Sequence, residues 1–177
     1  ELRSPVIVGG GGNVALDAAR SALGMDCQVR LVYRRDRDSM PAYEEEVQAA
    51  QSEGLDMMFL RRPLALEADG QGRVAGLRVC GTKLEGVEDD GRPAFIDLPD
   101  SEELIQAGSV ILALGQNSQA ADWSRALGLE SLSPGASGRL APGLYAAGDL
   151  ITGPATVVEA MAAGINCARS IIEELGS

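Results

Sequence analysis

Residues 6–17 read VIVGGGGNVALD, and this junction constrains the chain more than any other stretch. Three β-branched residues run into four glycines, and a segment with helical spacing follows. Glycine loses more conformational freedom on folding than any other residue, so four in succession at a strand end need a structural or ligand-binding reason. Pro5 precedes Val6, Ile7 and Val8, a short apolar run that predicts a buried strand. Asn13 is a good helix N-cap, Ala15, Leu16, Ala19, Ala22 and Leu23 recur at helical spacing, and Gly24 is a natural stop. Residues 28–33 read as a second strand. Strand, helix and strand within about 30 residues make a βαβ unit with a right-handed crossover.

One register of the glycines, Gly10-x-Gly12-x-x-Ala15, has the spacing of a dinucleotide-binding turn. The first glycine permits the tight turn, the second lets backbone amides approach a pyrophosphate, and the small third residue lets helix and strand pack closely. The phosphates then sit at a helix N-terminus, where free N–H groups and the dipole favour an anion. A lone motif of this kind is weak; here it follows a strand and opens a helix, as the chemistry requires. The alternative is a glycine-rich turn that only packs tightly. The end of the second strand reads Tyr33-Arg34-Arg35-Asp36-Arg37. An NAD site usually carries an acid there for the ribose hydroxyls. Arg34 stands in that place, and a guanidinium matches a 2′-phosphate in charge and geometry, so NADP(H) is expected over NAD(H). Tyr33 or an arginine can also stack on adenine. The competing reading is a solvated basic turn paired with nearby glutamates.

Further on, residues 43–50 predict a helix with acid at its N-terminal end, stopped by Gly54, and residues 56–60 predict a third strand. Residues 64–68 and 73–79 flank Asp69-Gly70-Gln71-Gly72, a hairpin signal that opens a β-meander. Residues 81–92 are polar and acidic and read as a mobile loop or wide turn, with 95–98 as another meander strand. The apolar run 109–114 has the pattern of a central parallel strand. Residues 116–143 are rich in Ser, Gly, Pro and Ala, with a short helix expected at 120–127. A strand at 144–147 ends in Gly148-Asp149, and a long helix at 154–175 has Val157, Val158, Met161, Ile165, Ala168 and Ile172 on one face. A glycine at that strand end lets a flexible ligand approach, an aspartate can accept from ribityl hydroxyls, and the helix N-terminus favours negative charge near a flavin ring.

Composition removes several function classes. The net charge is −11 and aromatics are 3% of residues, which argues against nucleic acid and anionic membrane as partners. There is no histidine, so His-based triads and the commonest general base are excluded, whereas hydride transfer between cofactors needs neither. Cys27, Cys80 and Cys167 are far apart and form no C-x-x-C, which points to a reducing, cytoplasmic compartment and no metal site within the chain. No apolar run reaches the roughly 18 residues of a membrane span, and no signal peptide is visible.

The blocks VGGGGNVALDAARSALG, LVYRRDRDSMPAYEEEVQAAQSEG, ILALGQNS and GLYAAGDLITGPATVVEAMAAG resemble, in that order, the glutamate synthase small (beta) subunit and its relatives. Those are FAD-dependent, NADPH-using oxidoreductases with two dinucleotide-binding domains. The resemblance implies an α/β fold: a Rossmann-like parallel sheet with a β-meander in an NADP(H)-binding domain at 1–115, and a C-terminal strand and helix at 116–177 that complete an FAD-binding domain. It implies NADP(H) contact by Gly10, Gly12, Asn13, Arg34 and Arg35, to which the turn adds Gly11 and Val14, with Tyr33 beside them. It implies an interdomain turn at Ala113-Leu114-Gly115, FAD contact at Gly148 and Asp149, and Ala155, Thr156 and Val157 near the flavin ring.

Three features depart from that pattern. The earlier glycine motif for FAD is missing, there are no cysteine-rich iron–sulfur motifs, and Gly9 stands where the family has an aliphatic residue. Thioredoxin reductases share the architecture but carry a C-x-x-C that this chain lacks. The expectation is therefore a C-terminal piece of such an enzyme. Its partners would be a missing N-terminal FAD and iron–sulfur region, a larger synthase or electron-transfer subunit, and further copies of itself through an exposed tail. Its reaction would pass hydride from NADPH to FAD, with only half a flavin site here and no turnover alone. A non-catalytic nucleotide-binding module in which the nucleotide regulates assembly is the alternative. A flavin-independent NADP dehydrogenase is disfavoured by the lack of histidine and of a Tyr-x-x-x-Lys pair.

Overall fold

In the computed structural model, β1 (Val6–Gly9) is buried along its whole length, because it is flanked on both sides by parallel strands. Residues 1–88, 91–115, 119–133, 135 and 137–176 are described. β1 pairs with β2 (Val29–Val32) on one side and β8 (Ser109–Leu112) on the other; β3 (Asp56–Met58) lies outside β2. The order β3-β2-β1-β8 makes β8 an edge strand, half-exposed, and corrects the expectation of a central one. Its apolar run is the same as a central strand's, and nothing local to it says which neighbours it will have.

Alternate residues of β1 serve two different cores, as the two-residue period of a strand requires. Val6 and Val8 face α1 (Asn13–Leu23), whose buried Ala15, Leu16, Ala19 and Ala22 pack with Val47 and Ala50 of α2 (Glu44–Ser52). Ile7 and Val32 face the other way, onto Leu77, Val79, Ile105 and Ala107. Each Val, Ile or Leu among these contributes about 1.5–3 kcal/mol when fully buried. The alanines bring α1 close to the sheet, and Arg20 ties it to α2 through Glu46 at 2.7 Å and Glu53 at 2.6 Å.

The second face belongs to the meander of β4 (Arg61–Ala68), β5 (Val74–Val87), β6 (Pro93–Asp97) and β7 (Glu103–Gln106). The β4–β5 turn is built as the sequence predicts: the Asp69 carboxylate accepts from the amides of Gln71 (2.8 Å) and Arg73 (3.0 Å), and Gly72 takes φ +75°. β7 pairs with the first half of β5 and β6 with its second half. The expected loop at 81–92 is instead strand as far as Val87, and Asp89 and Asp90 lie outside the described residues. The alternation Thr82, Leu84 inward against Lys83, Glu85 outward was the signal; the density of charge hid it. β7 had no counterpart in the sequence reading. Its residues Glu103–Gln106 hold one buried side chain, Ile105, too few to show a period.

Residues Glu1–Leu114 form one compact unit and Gly115–Ser177 a second. In the second, α3 (Ala120–Leu127) ends at Gly128 with φ +66°. β9 (Arg139–Ala141) and β10 (Leu144–Tyr145) form an antiparallel pair, followed by α4 (Asp149–Thr152) and α5 (Val157–Leu175). The strand expected at 144–147 is thus the two-residue β10, paired with β9. The Tyr145 hydroxyl donates to Glu174, which also pairs with Arg139 at 3.1 Å, so the hairpin is tied to the end of α5. Cys167 is buried, its Sγ 3.1 Å from where a Cβ on Gly138 would stand. Val157, Val158, Met161, Ile165 and Ile172 of α5 are exposed. Among the described residues, no helix is long and apolar enough to cross a membrane.

Candidate functional site

The carboxyl ends of β1, β2 and β8 open on one edge of the parallel sheet. The glycine turn follows β1, Tyr33-Arg34-Arg35 follows β2, and Ala113 follows β8. The turn's glycines meet three different surroundings. Gly10 has φ +141°, and a Cβ there would lie 2.3 Å from the Ala113 carbonyl oxygen. Gly11 is pressed on the Tyr33 ring, 2.5 Å from a Cβ position. Gly12 is different. Its φ of −92° and ψ of 173° suit any residue, and a Cβ there would find nothing closer than Pro41 Cγ at 3.9 Å. The protein itself gives no steric reason for a glycine at position 12.

Gly10 N donates to Val32 O (3.0 Å), but the amides of Gly11, Gly12, Asn13 and Val14 have no acceptor among the described residues. Gly12, not Asn13, caps α1; Asn13 is its first residue, and its Oδ1 accepts from Tyr43 N at 3.0 Å. The expected N-cap is thereby corrected. With Gly11 O accepting from Ala42 N (3.3 Å), that bond fixes the entry to α2 against the turn. The first turn of α1 has no acidic residue, whereas that of α2 has Glu44, Glu45 and Glu46. The α2 dipole is already complemented by its own acids; that of α1 is free for an anion. Val14 is exposed on the same turn.

Beyond β2 the side chains divide. Tyr33 is 6% exposed, and its hydroxyl donates to Ser39 O at 2.7 Å. Its ring supports Gly11 and offers adenine no open face, which corrects the stacking expectation. Arg35 is 1% exposed: Nη2 lies 2.6 Å from Glu88 Oε1 without hydrogen-bond alignment, and Nε donates to Pro93 O at 2.6 Å. It is spoken for by the protein. Arg34 is half-buried, with its guanidinium 4.9 Å from the centroid of Phe95, and has no ion-pair partner among the described residues. Arg37, also in this turn, pairs with Glu44, whose carboxyl the guanidinium holds below its usual range.

Ala113 N donates to Gly9 O (2.7 Å), so the end of β8 is fixed beside the turn. Leu114 is exposed, and Gly115, at φ +92°, opens the second unit. In that unit Gly148 takes φ +68° and packs near Ala160, and Asp149, exposed, begins α4. Ala155 precedes Thr156, which caps α5 in a reciprocal box: Glu159 N donates to its hydroxyl (3.3 Å) and Thr156 N donates to the Glu159 carboxylate (2.9 Å). Val157 is exposed at the first helical position. Sequence reasoning missed Thr82, Glu88 and Phe95, which surround the basic turn; only the register of β5 against β6 brings them there. Among the described residues no three His, Cys, Asp or Glu side chains are grouped as metal ligands would be.

The family model described as pyridine nucleotide-disulphide oxidoreductase matches residues 1–164. The chain belongs to this family. It is 40% identical over 179 residues to the NADP(+)-dependent formate dehydrogenase subunit beta of Moorella thermoacetica, covering 96% of this chain and 25% of that protein. It is 34% identical over 181 residues to the glutamate synthase [NADPH] small chain of Halomonas elongata, covering 96% of this chain and 38% of that one. This pyridine nucleotide-disulphide oxidoreductase chain thus spans well under half the length of these relatives. Among solved structures, T. acidophilum thioredoxin reductase superposes with TM-score 0.73 at 21% identity, over 97% of this chain and 53% of that one. Mycobacterium tuberculosis FprA in complex with NADPH gives TM-score 0.71 at 18% identity, over 97% and 52%. These likenesses show the fold, an α/β architecture with one parallel and further antiparallel sheets.

Proposed function

We propose that residues 1–115 bind NADP(H), and that this chain is the nicotinamide-nucleotide portion of a flavin-dependent oxidoreductase. The observation that carries the reading is Gly12, a glycine with open space above it at the start of a helix whose first amides lack acceptors. The residues fit the group: a methyl at position 12 would occupy the space through which a pyrophosphate reaches those amides. Arg34, without a carboxylate of its own among the described residues, supplies positive charge for a 2′-phosphate. Both curated relatives named above carry NADP(+) or NADPH in their names, which supports the same choice.

When bound in the complete enzyme, a reduced nicotinamide would supply hydride chemistry and a flavin would be its acceptor. The chain's own residues do no acid–base chemistry. Gly10 holds the turn open, the amides of Gly11, Gly12, Asn13 and Val14 receive the pyrophosphate, and Arg34 anchors the adenosine end. Gly148, Asp149, Ala155, Thr156 and Val157 would hold part of a flavin, the N-terminus of α5 favouring negative charge on it. The remaining flavin contacts and the route onward, through iron–sulfur centres or a larger synthase subunit, belong to segments or partners outside this chain. Calorimetric titration with NADPH, NADH and FAD in parallel tests the reading. Binding of NADPH, weaker NADH and negligible FAD is expected. Absence of binding by either nicotinamide nucleotide would leave the glycine turn a packing device only.

A further inference from the structure

Most guanidiniums among the described residues are paired, and Arg34 is an exception beside the glycine turn. Arg20, Arg30, Arg35, Arg37, Arg61, Arg62, Arg73, Arg78, Arg125 and Arg139 each pair with a carboxylate. Arg34 sits one residue from Arg35 yet has a different neighbour. Its guanidinium carbon lies 4.9 Å from the centre of the Phe95 ring, and that of Arg35 lies 5.5 Å from it. An aromatic face attracts a cation without neutralising it. Glu88 neutralises Arg35, so the two guanidiniums share one ring while only Arg34 keeps its net charge.

The backbone of the turn is held from the same side. The buried Thr82 hydroxyl donates to Arg34 O at 2.7 Å, and Leu60 N donates to Arg35 O at 3.0 Å. Thr82 lies on β5 opposite Asp97, and Phe95 on β6 opposite Leu84. The antiparallel meander therefore positions both the main chain and the side chain of Arg34. We infer that Phe95 is a specificity-determining positioning residue: through its ring it holds the Arg34 guanidinium in place without neutralising it, and so sets the preference for a 2′-phosphorylated nucleotide, while Arg35 is a structural anchor without phosphate contact.

This inference rests on the NADP(H) reading, and the experiment separates the two. NADP⁺ and NAD⁺ are titrated against the wild-type protein and against Phe95→Leu, Phe95→Tyr and Arg34→Ala, with thermal unfolding of each variant recorded. Phe95→Leu is expected to lower the NADP⁺:NAD⁺ affinity ratio by roughly three- to tenfold, entirely through weaker NADP⁺ binding, and Phe95→Tyr to restore it, because a ring face is what Arg34 requires. Should Phe95→Leu not fold, Phe95→Met makes the same comparison with a flexible apolar side chain. A folded Leu or Met variant with the wild-type ratio, alongside an Arg34→Ala variant that has lost it, would overturn the role of Phe95 and leave the NADP(H) reading standing. A wild-type protein that binds both nucleotides alike, or neither, would overturn both.

Discussion

At the scale of single residues, adjacent glycines have distinct causes and so distinct mutational signatures. Gly12→Ala adds a methyl to open space at an ordinary backbone conformation; the gain of about 0.4–1 kcal/mol through the unfolded chain is offset by the loss of a glycine N-cap, so the folding free energy should change by less than about 1 kcal/mol. The same methyl stands where the pyrophosphate would pass, and NADPH affinity should fall at least about tenfold; chemical denaturation and calorimetry on one variant read both. Gly10→Ala should do the reverse of a silent change. Its φ of +141° strains an L-residue by about 1–3 kcal/mol, and the Ala113 carbonyl blocks the methyl besides. Gly9 is the third case. A Cβ there meets Leu112, Leu114 and Pro63 at 3.5–3.6 Å, which is ordinary contact, so Gly9→Ala should raise stability by about 0.4–1 kcal/mol through the unfolded chain. An unfolding midpoint that drops for Gly9→Ala would refute that.

At the scale of elements, two devices hold ends in place. Thr156 and Glu159 cap α5 reciprocally, and Thr156→Ala should lower the stability of the second unit by about 1 kcal/mol, visible as faster amide exchange in the first turn of α5. Arg35, buried against Glu88 and Pro93 O, joins the end of β2 to β6. Removing one partner of a buried pair is costly because the other charge is left uncompensated, by about 3–5 kcal/mol in well-buried cases. Glu88 is one-third exposed, so Glu88→Gln should cost less than that, in the range of about 1–2 kcal/mol. Arg35→Met removes the charge and should be tolerated better than Glu88→Gln, a ranking that denaturant titration of the two variants decides.

At the scale of the whole molecule, the ion pairs set the acid response. Arg20 holds Glu53, and Arg62 holds Asp97, below the usual carboxylate range; the Thr156 amide does the same for Glu159, and the Arg73 and Gln71 amides for Asp69. A carboxyl whose pKa is lower in the folded state contributes stability above its unfolded value and loses it as pH falls through the folded one. Stability should therefore be level near neutral pH and decline below about pH 4.5, with the Arg-linked part weakened by salt because those pairs are exposed. Thermal melts across pH 3–7 at two salt concentrations check this; a protein more stable at pH 4 than at pH 7 would contradict it.

The βαβ unit, the glycine register and the basic turn were legible in the residues because each rests on local rules: a two-residue period, a 3.6-residue period, and glycine where φ or close approach demands it. The hairpin at Asp69 and the helix at 120–127 were legible for the same reason. What the residues did not reveal depends on pairing between distant segments. That β8 lies at an edge, that the polar run after Gly81 is strand, and that Glu103–Gln106 adds another follow from which strand finds which neighbour. The same holds at the site. Arg34 and Arg35 are chemically identical and adjacent, and only the meander, folding across from residues 82–97, buries one against Glu88 and leaves the other over Phe95. Sequence by itself determined the glycine turn after β1 and the basic run after β2; tertiary structure decided which of the two adjacent cations is buried in an ion pair and which is not, because burial and ion pairing are properties of neighbours in space.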